Sequence, residues 1–281
     1  MTEPSSAWEH AVEWLRSQPE NQDLVLNAYY DDPLIDAARR YWVSCVFQEI
    51  RKLLGSTRGQ ALDVGAGRGV ASYALAREGF AVAALEPDNS SLVGAGAIRS
   101  LAEESALPIT VVREVSEHLP FGDCQFDLVF VRAVLHHTQN LQSACREFFR
   151  VLKPGGRLVA VREHVISCET DLEAFLSRHP LHRLYGGENA FLLSTYTNAM
   201  LQAGFAIDCV LSPLSSVINY APYTEETLRK RIADRMGGAL GMRDAFHYAL
   251  RLPSLWSAAL KVLSRVDRRP GRLFSFVCTR P

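Results

Sequence analysis

Residues 61–69, Ala-Leu-Asp-Val-Gly-Ala-Gly-Arg-Gly, limit what this chain can fold into more than any other stretch. Ala61, Leu62 and Val64 read as a buried strand, Gly65, Gly67 and Gly69 as a loop free of Cβ atoms, and Val70 to Arg77 as the opening of a helix. Such a loop lets a ligand lie directly on the main chain, with backbone N–H groups and a helix N-terminus offered to a carboxylate or phosphate. A dinucleotide fingerprint needs its third glycine at position 70, where this chain has Val70, and has no use for an acid such as Asp63 two places before the first glycine.

The pattern after the loop alternates. Strands are expected near 60–65, 80–86, 108–113, 126–132 and 157–163, with helices near 69–78, 90–104 and 140–151 between them. That order implies an α/β fold, a doubly wound and mostly parallel sheet with helices on both faces. Residues 205–211 and 272–279 add a sixth and a seventh strand. Residues 1–57 read as helical, with Trp8, Val12 and Leu15 on one stripe, and are expected to form an N-terminal helical lid. Residues 58–281 then form the sheet domain, carrying 166–203 and 222–269 as substrate-side and helical insertions.

The spacing Asp63-x-Gly65-x-Gly67-x-Gly69 resembles the first motif of the class I S-adenosylmethionine-dependent methyltransferases, of the type 11 kind. Downstream segments resemble that family in the same order: residues 80–86 ending at Glu86, then 116–121 with 126–129, then Arg132-Ala133-Val134-Leu135-His136-His137, then Val151-Leu152-Lys153-Pro154-Gly155-Gly156-Arg157-Leu158. The resemblance covers residues 58–165 and implies a seven-stranded Rossmann-like sheet that binds S-adenosyl-L-methionine. It assigns Asp63, Gly65, Ala66, Gly67, Glu86, Pro87, Ser116, Glu117, Arg132 and His137 to that cofactor, with Glu86 on the ribose hydroxyls. Many relatives read adenine with an aspartate where this chain has Val115. Glu114, Glu117 or the backbone of Ser116 and Glu117 must then serve.

In a doubly wound fold the ligand sits beyond the carboxyl ends of the strands, so acceptor-side groups must reach that rim. Glu163 and His164 end the fifth strand; Gly186 and Gly187 let the following chain turn and present Tyr185 and Glu188. Tyr29 and Tyr30, beside a turn, are candidates for a lid over the methyl group, although a solvated helix start with Asp32 as cap and Pro33 as first-turn residue is the favoured reading of that segment. His136 and His137 flank the expected methyl-transfer point, His136 counted with the acceptor set. His164, His179 and His182 are the candidate catalytic bases, since imidazole titrates near neutral pH. Two other roles compete for the histidines: a His and Glu pair holding a divalent metal that orients a diol, and plain capping or surface polarity. The spacings alone assign no metal ligand.

Composition narrows the function classes. A formal net charge of −1 over 281 residues argues against a nucleic-acid partner. Six cysteines without Cys-x-x-Cys spacing read as reduced thiols of a cytoplasmic protein. Glu3, Glu9 and Glu13 do not suit a signal peptide, and no stretch approaches the ~18 apolar residues that span a bilayer. Between 229 and 272 bases outnumber acids, and Leu252, Leu255, Trp256, Ala259, Leu260 and Leu263 share a helical stripe. Docking on the sheet domain is the expectation for that stripe, with contact to an anionic membrane surface through 252–266 as the alternative. The reading is therefore methyl transfer to a small organic acceptor, the methyl bound to a sulfonium so that placement and proton removal are the enzyme's tasks. A lipid-like quinone, an RNA or protein acceptor, and a non-catalytic cofactor-binding subunit are the alternatives.

Overall fold

A computed structural model describes residues 7–56, 58–179, 182–239 and 241–281. Residues 1–6 and 57 of the expected 1–57 segment, and Pro180 and Leu181 beside the candidate histidines, lie outside the described residues. Four helices open the chain: α1 (Ala7–Ser17), α2 (Gln22–Ala28), α3 (Leu34–Val43) and α4 (Cys45–Leu53). The alternating region follows as β1 (Gln60–Val64), α5 (Val70–Arg77), β2 (Ala81–Leu85), α6 (Ala95–Ser105), β3 (Ile109–Val112), β4 (Phe126–Arg132), α7 (Leu141–Val151) and β5 (Leu152–Ile166). Next come α8 (Asp171–Leu176), α9 (His182–Tyr185), β6 (Phe191–Leu192), α10 (Leu193–Ala203) and β7 (Ala206–Leu211). The chain closes with α11 (Val217–Tyr220), α12 (Glu225–Ala239), α13 (Arg243–Ala249), α14 (Pro253–Val266) and β8 (Arg272–Thr279).

The strands form one sheet in the order β3-β2-β1-β4-β5-β8-β7, with the two-residue β6 paired to β5 beside that path. The seven expected strands are present; β6 is additional and too short to carry a periodic pattern. Strands β1 to β5 are parallel, and β8 runs antiparallel between β5 and β7. Both faces are covered, so side chains alternate between two apolar cores rather than between core and water. Ala61, Leu128, Phe130, Val159 and Val161 enter the core under α3 to α6; Leu62, Val129, Val131, Leu158 and Ala160 enter the core under α7 and α10. This explains why the strands read as near-continuous apolar runs.

Tyr41, Phe47 and Ile50 of α3 and α4 are fully buried in the first of these cores, so these two helices pack with the sheet while α1 and α2 reach the strand ends. Helix α6 starts five residues later than expected, because Ser90 turns the chain first: its hydroxyl accepts from the amides of Leu92 and Val93. The apolar stripe of α14 is divided. Trp256 is buried in a small core with Leu228, Ala233 and Leu250, which are residues of the insertion itself, while Leu252, Leu255, Val262 and Val266 are exposed. The stripe thus docks on α12 and its neighbours and not on the sheet. No helix among the described residues is long and apolar enough to cross a membrane.

Candidate active site

The glycine loop is built for contact through its backbone. Gly65, Gly67 and Gly69 all have positive φ, 62°, 55° and 83°. A Cβ on Gly65 would strike Val134 at 2.5 Å, whereas one on Gly67 would meet only a carbonyl at 3.9 Å and project into the cavity that this loop lines. Glu86, from the end of β2, is 8% exposed and accepts from the amides of Gly67 (2.7 Å) and Asp88 (3.0 Å). Burial pushes its carboxyl up to about 7 in spite of those two amides. Arg132, at the end of β4, has a buried Nε without a hydrogen-bond partner, and its guanidinium lies 5.8 Å from the Tyr29 ring centroid and 5.3 Å from that of Tyr41. A buried acceptor for hydroxyls, an orphaned cationic donor for a carboxylate and a bare loop between them fit the ribose, methionine and backbone-facing parts of S-adenosylmethionine.

One cavity of ≈ 1080 Å³ continues from this loop to a second group of side chains. Glu163 is fully buried within β5, three residues before its end, where Arg162, at φ 63°, makes a bulge against β8 and re-aims the chain. Its carboxylate accepts from the amides of Val134 and His136, both at 3.2 Å, and from His136 Nδ1 at 2.7 Å. His164 Nδ1 donates to the Gly271 carbonyl at 2.8 Å and His137 Nδ1 to that of Gly187 at 2.8 Å. Glu188 stands among these rings: its Oε1 accepts from Tyr185 at 2.5 Å, and its Oε2 lies 3.6 Å from His136 Nε2 and 3.8 Å from His137 Nε2. His179 Nδ1 is buried without a hydrogen bond, 3.7 Å from Glu188 Oε1. Burial works against charge on His136, His164 and Glu188, yet the hydrogen bond to Glu163 and the nearby Glu188 carboxylate raise His136 to about 9, while His164, buried and beside His136, falls to about 3. Against its own burial, Glu188 is held down to about 2 by His136 and Tyr185.

Most expected site residues line this single cavity: Tyr29, Tyr30, Gly65, Ala66, Gly67, Glu86, Pro87, Ser116, Glu117, Arg132, His136, His137, His164, His179, Tyr185 and Glu188. Three stand elsewhere. Asp63 is buried beneath the loop and accepts from Ser72 Oγ at 2.5 Å, tying strand to helix without facing the cavity. Glu163, expected to see the acceptor, points behind His136, because the bulge turns it toward the loop after β4. His182 lines a separate shallow cleft with Glu169 and Arg183. On the adenine side, Val115 is exposed and Glu117 Oε1 already accepts from Gln139 and Asn140 at the start of α7.

Sequence reading missed Arg68 and Trp8. Arg68 is 6% exposed and donates to the Tyr29 and Asp31 carbonyls and to Asp32, which latches the α2–α3 turn onto the glycine loop. A base inside an otherwise side-chain-poor loop was the available clue. Trp8 meets Tyr30 at 5.7 Å and Tyr185 at 4.6 Å, edge to face, so α1 and the segment after β5 touch over the cavity.

Residues 62–160 match the family model described as a methyltransferase domain. A demethylmenaquinone methyltransferase of Tropheryma whipplei (strain Twist) is 36% identical over 111 residues, 38% of this chain and 44% of that protein. One from Thermobifida fusca (strain YX) is 32% identical over 147 residues, 52% of this chain and 56% of that protein. The chain thus spans about half the length of the curated relatives it matches. Among solved structures, geranyl diphosphate C-methyltransferase from Streptomyces coelicolor A3(2), in complex with Mg2+, geranyl diphosphate and S-adenosyl-L-homocysteine, superposes with a TM-score of 0.61 at 14% identity and full coverage of both chains. The motif order, the sheet and the matched segment together show a methyltransferase domain of the class I S-adenosylmethionine-dependent kind at residues 62–160.

Proposed function

We propose that the protein is an enzyme that transfers a methyl group from S-adenosylmethionine to a small organic acceptor enclosed between the glycine loop and the His136–His164–His179–Glu188 group. The observation that carries this reading is the continuity of the cavity: Gly67, Glu86 and Arg132 line one side, and His164, His179, Tyr185 and Glu188 line the other. Glu86 holds the ribose hydroxyls, Arg132 the methionine carboxylate, and the backbone at Ser116 the adenine. Bound there, the cofactor supplies a methyl group made electrophilic by its sulfonium. The protein's share is to hold the acceptor atom in line within ~3–3.5 Å and to take up its proton. His179 and His164 stand at the acceptor side for that purpose, and Tyr30 and Trp8 exclude water from above. Residues 7–56 act as the lid in this reading, and the location is cytoplasmic.

A quinone acceptor is the second reading. The names of the curated relatives favour it, as do the exposed Leu252, Leu255, Val262 and Val266 of α14 beside Arg251 and Arg265, which suit a lipid surface. The test measures acceptor-dependent release of S-adenosylhomocysteine from a panel of phenols, diols, amines and quinones. His179→Ala or His164→Ala should lower turnover about 10²–10⁴-fold with S-adenosylhomocysteine affinity unchanged. Failure to bind S-adenosylhomocysteine would refute the whole reading; turnover within a few-fold of wild type in both variants would remove the base and leave catalysis by placement.

A further inference from the structure

We propose that His136 Nε2, His164 Nε2 and Glu188 Oε2 form a binding site for one divalent transition-metal ion. Single donor atoms of these three residues all lie within 4.8 Å of one another, and His136 Nε2 to Glu188 Oε2 is 3.6 Å. Two donors at ~2.1 Å from a common ion can stand up to ~4.2 Å apart, so closure needs shifts below ~1 Å.

The supporting hydrogen bonds are those a metal site requires. An imidazole presents a fixed lone pair when its other nitrogen donates to a carboxylate or carbonyl. His136 Nδ1 donates to the buried Glu163, and His164 Nδ1 donates to the Gly271 carbonyl. That leaves Nε2 of each ring as its ligand atom, and on His136 the ion takes the place of the Nε2 proton. At that point Glu188, 8% exposed, has its Oε1 taken by Tyr185 while Oε2 is buried without a hydrogen-bond partner. That oxygen faces His136 Nε2 at 3.6 Å and His137 Nε2 at 3.8 Å without a hydrogen bond to either, a gap that an ion held between them closes. Two further donors stand in reach. His137, with Nδ1 on the Gly187 carbonyl, brings Nε2 to 3.8 Å from Glu188 Oε2, and His179 Nδ1 is unpartnered.

Two imidazoles and a carboxylate suit zinc, iron(II), cobalt or nickel; magnesium and calcium favour oxygen-only ligand sets. The site opens into the acceptor side of the cavity, so the remaining coordination positions take water or acceptor oxygens. The assignment of those positions to a chelating acceptor, with adjacent hydroxyl or hydroxyl and carbonyl groups, rests on the methyl-transfer reading. Occupation of the site by metal does not. With His164 on the ion, His179 is the histidine left for proton uptake.

The experiment uses the full chain without an affinity tag, stripped with a chelator and titrated with Co2+, followed by its visible d–d absorption and by metal analysis, with S-adenosylhomocysteine titrated calorimetrically into the same samples. One Co2+ per chain, displaced by Zn2+, is expected. His164→Ala and Glu188→Gln should abolish the absorption, Glu163→Gln should weaken Co2+ about 10–100-fold as loss of a supporting bond does, and His247→Ala should change nothing. His136 is avoided because its burial endangers folding. Wild-type protein that binds S-adenosylhomocysteine but no Co2+ or Zn2+ at micromolar concentration would overturn the metal site and leave the methyl-transfer reading intact. Equal Co2+ affinity in His164→Ala and Glu188→Gln would also overturn it. Metal binding lost in both variants, in a protein that ignores S-adenosylhomocysteine, would uphold the ion and refute the methyl-transfer reading instead.

Discussion

The two sides of the cavity are built on different principles. The cofactor side is backbone: three glycines with positive φ, amide groups and one carboxylate that reaches back only 19 residues, from Glu86 to Gly67. The acceptor side is side chain, and its defining bonds span the sequence: 27 residues from His136 to Glu163, 50 from His137 to Gly187, 107 from His164 to Gly271. A site made of backbone tolerates almost no added atoms. A site made of interlocked side chains tolerates them poorly in another way, because each member fixes the next.

The largest effect should therefore follow from a single added side chain on the first side. Gly67→Val should abolish binding of S-adenosylhomocysteine, since the new atoms enter the cavity at a residue whose φ is 55°, while circular dichroism reports a folded protein. Wild-type affinity in that variant would mean that the loop is not where the cofactor lies. Glu163→Ala tests the second side. It removes a fully buried acceptor of three N–H groups, and truncating one partner of such a pair costs about 3–5 kcal/mol, read as a lowered midpoint in urea. S-adenosylhomocysteine affinity of the folded fraction should barely change. A loss of affinity comparable to that of Gly67→Val would show that the two sides are one unit.

The smallest effect concerns Glu86. Glu86→Ala should weaken S-adenosylhomocysteine by about 1.5–3 kcal/mol, the range for hydrogen bonds to a charged group. Its sign with pH follows from burial. In the proposed function the ionised carboxylate accepts the ribose hydroxyls; its pKa in the free protein is raised to about 7, so binding in that mode must expel a proton below that value. Affinity should be flat above pH 7 and fall as pH drops through 7, by at most about tenfold per unit. In Glu86→Ala that slope should vanish; a slope that persists would belong to another group, with buried Asp63, also raised to about 7 by burial, the first to examine.

The same contrast explains how much could be read beforehand. Strand, glycine loop and helix at 60–77 are legible because they are contiguous and because two-sided burial keeps Ala61, Leu62 and Val64 of β1 and Leu128 to Val131 of β4 apolar. Glu86 followed from its distance to the loop. The sequence puts Glu163 on the right strand but ends that strand three residues early and misses its direction, since a bulge at Arg162 reverses which face the next side chain takes and leaves no trace in the alternation of Val159, Ala160 and Val161. Asp63 was placed in the cofactor set by its motif, but its partner, Ser72, lies one helical turn into α5 and draws the carboxylate beneath the loop. That His136, His164, His179 and Glu188 reach one rim is legible in the sequence, but their mutual contacts are not, because the pairs that create them are far apart in the chain. Trp8 read as a core residue of α1, and only the approach of Tyr185 makes it part of the cavity wall.

Arg68 joins what is otherwise separate. It sits between Gly67 and Gly69, yet its guanidinium donates to Tyr29, Asp31 and Asp32 of the turn that carries Tyr30 over the cavity. Binding equilibria linked through one residue are reciprocal. Whatever free energy a ligand gains because the α2–α3 turn is seated, the seated turn must gain from that ligand, in equal measure. The glycine loop is thus more than a cradle: through this one side chain it is also the anchor of the turn that carries Tyr30.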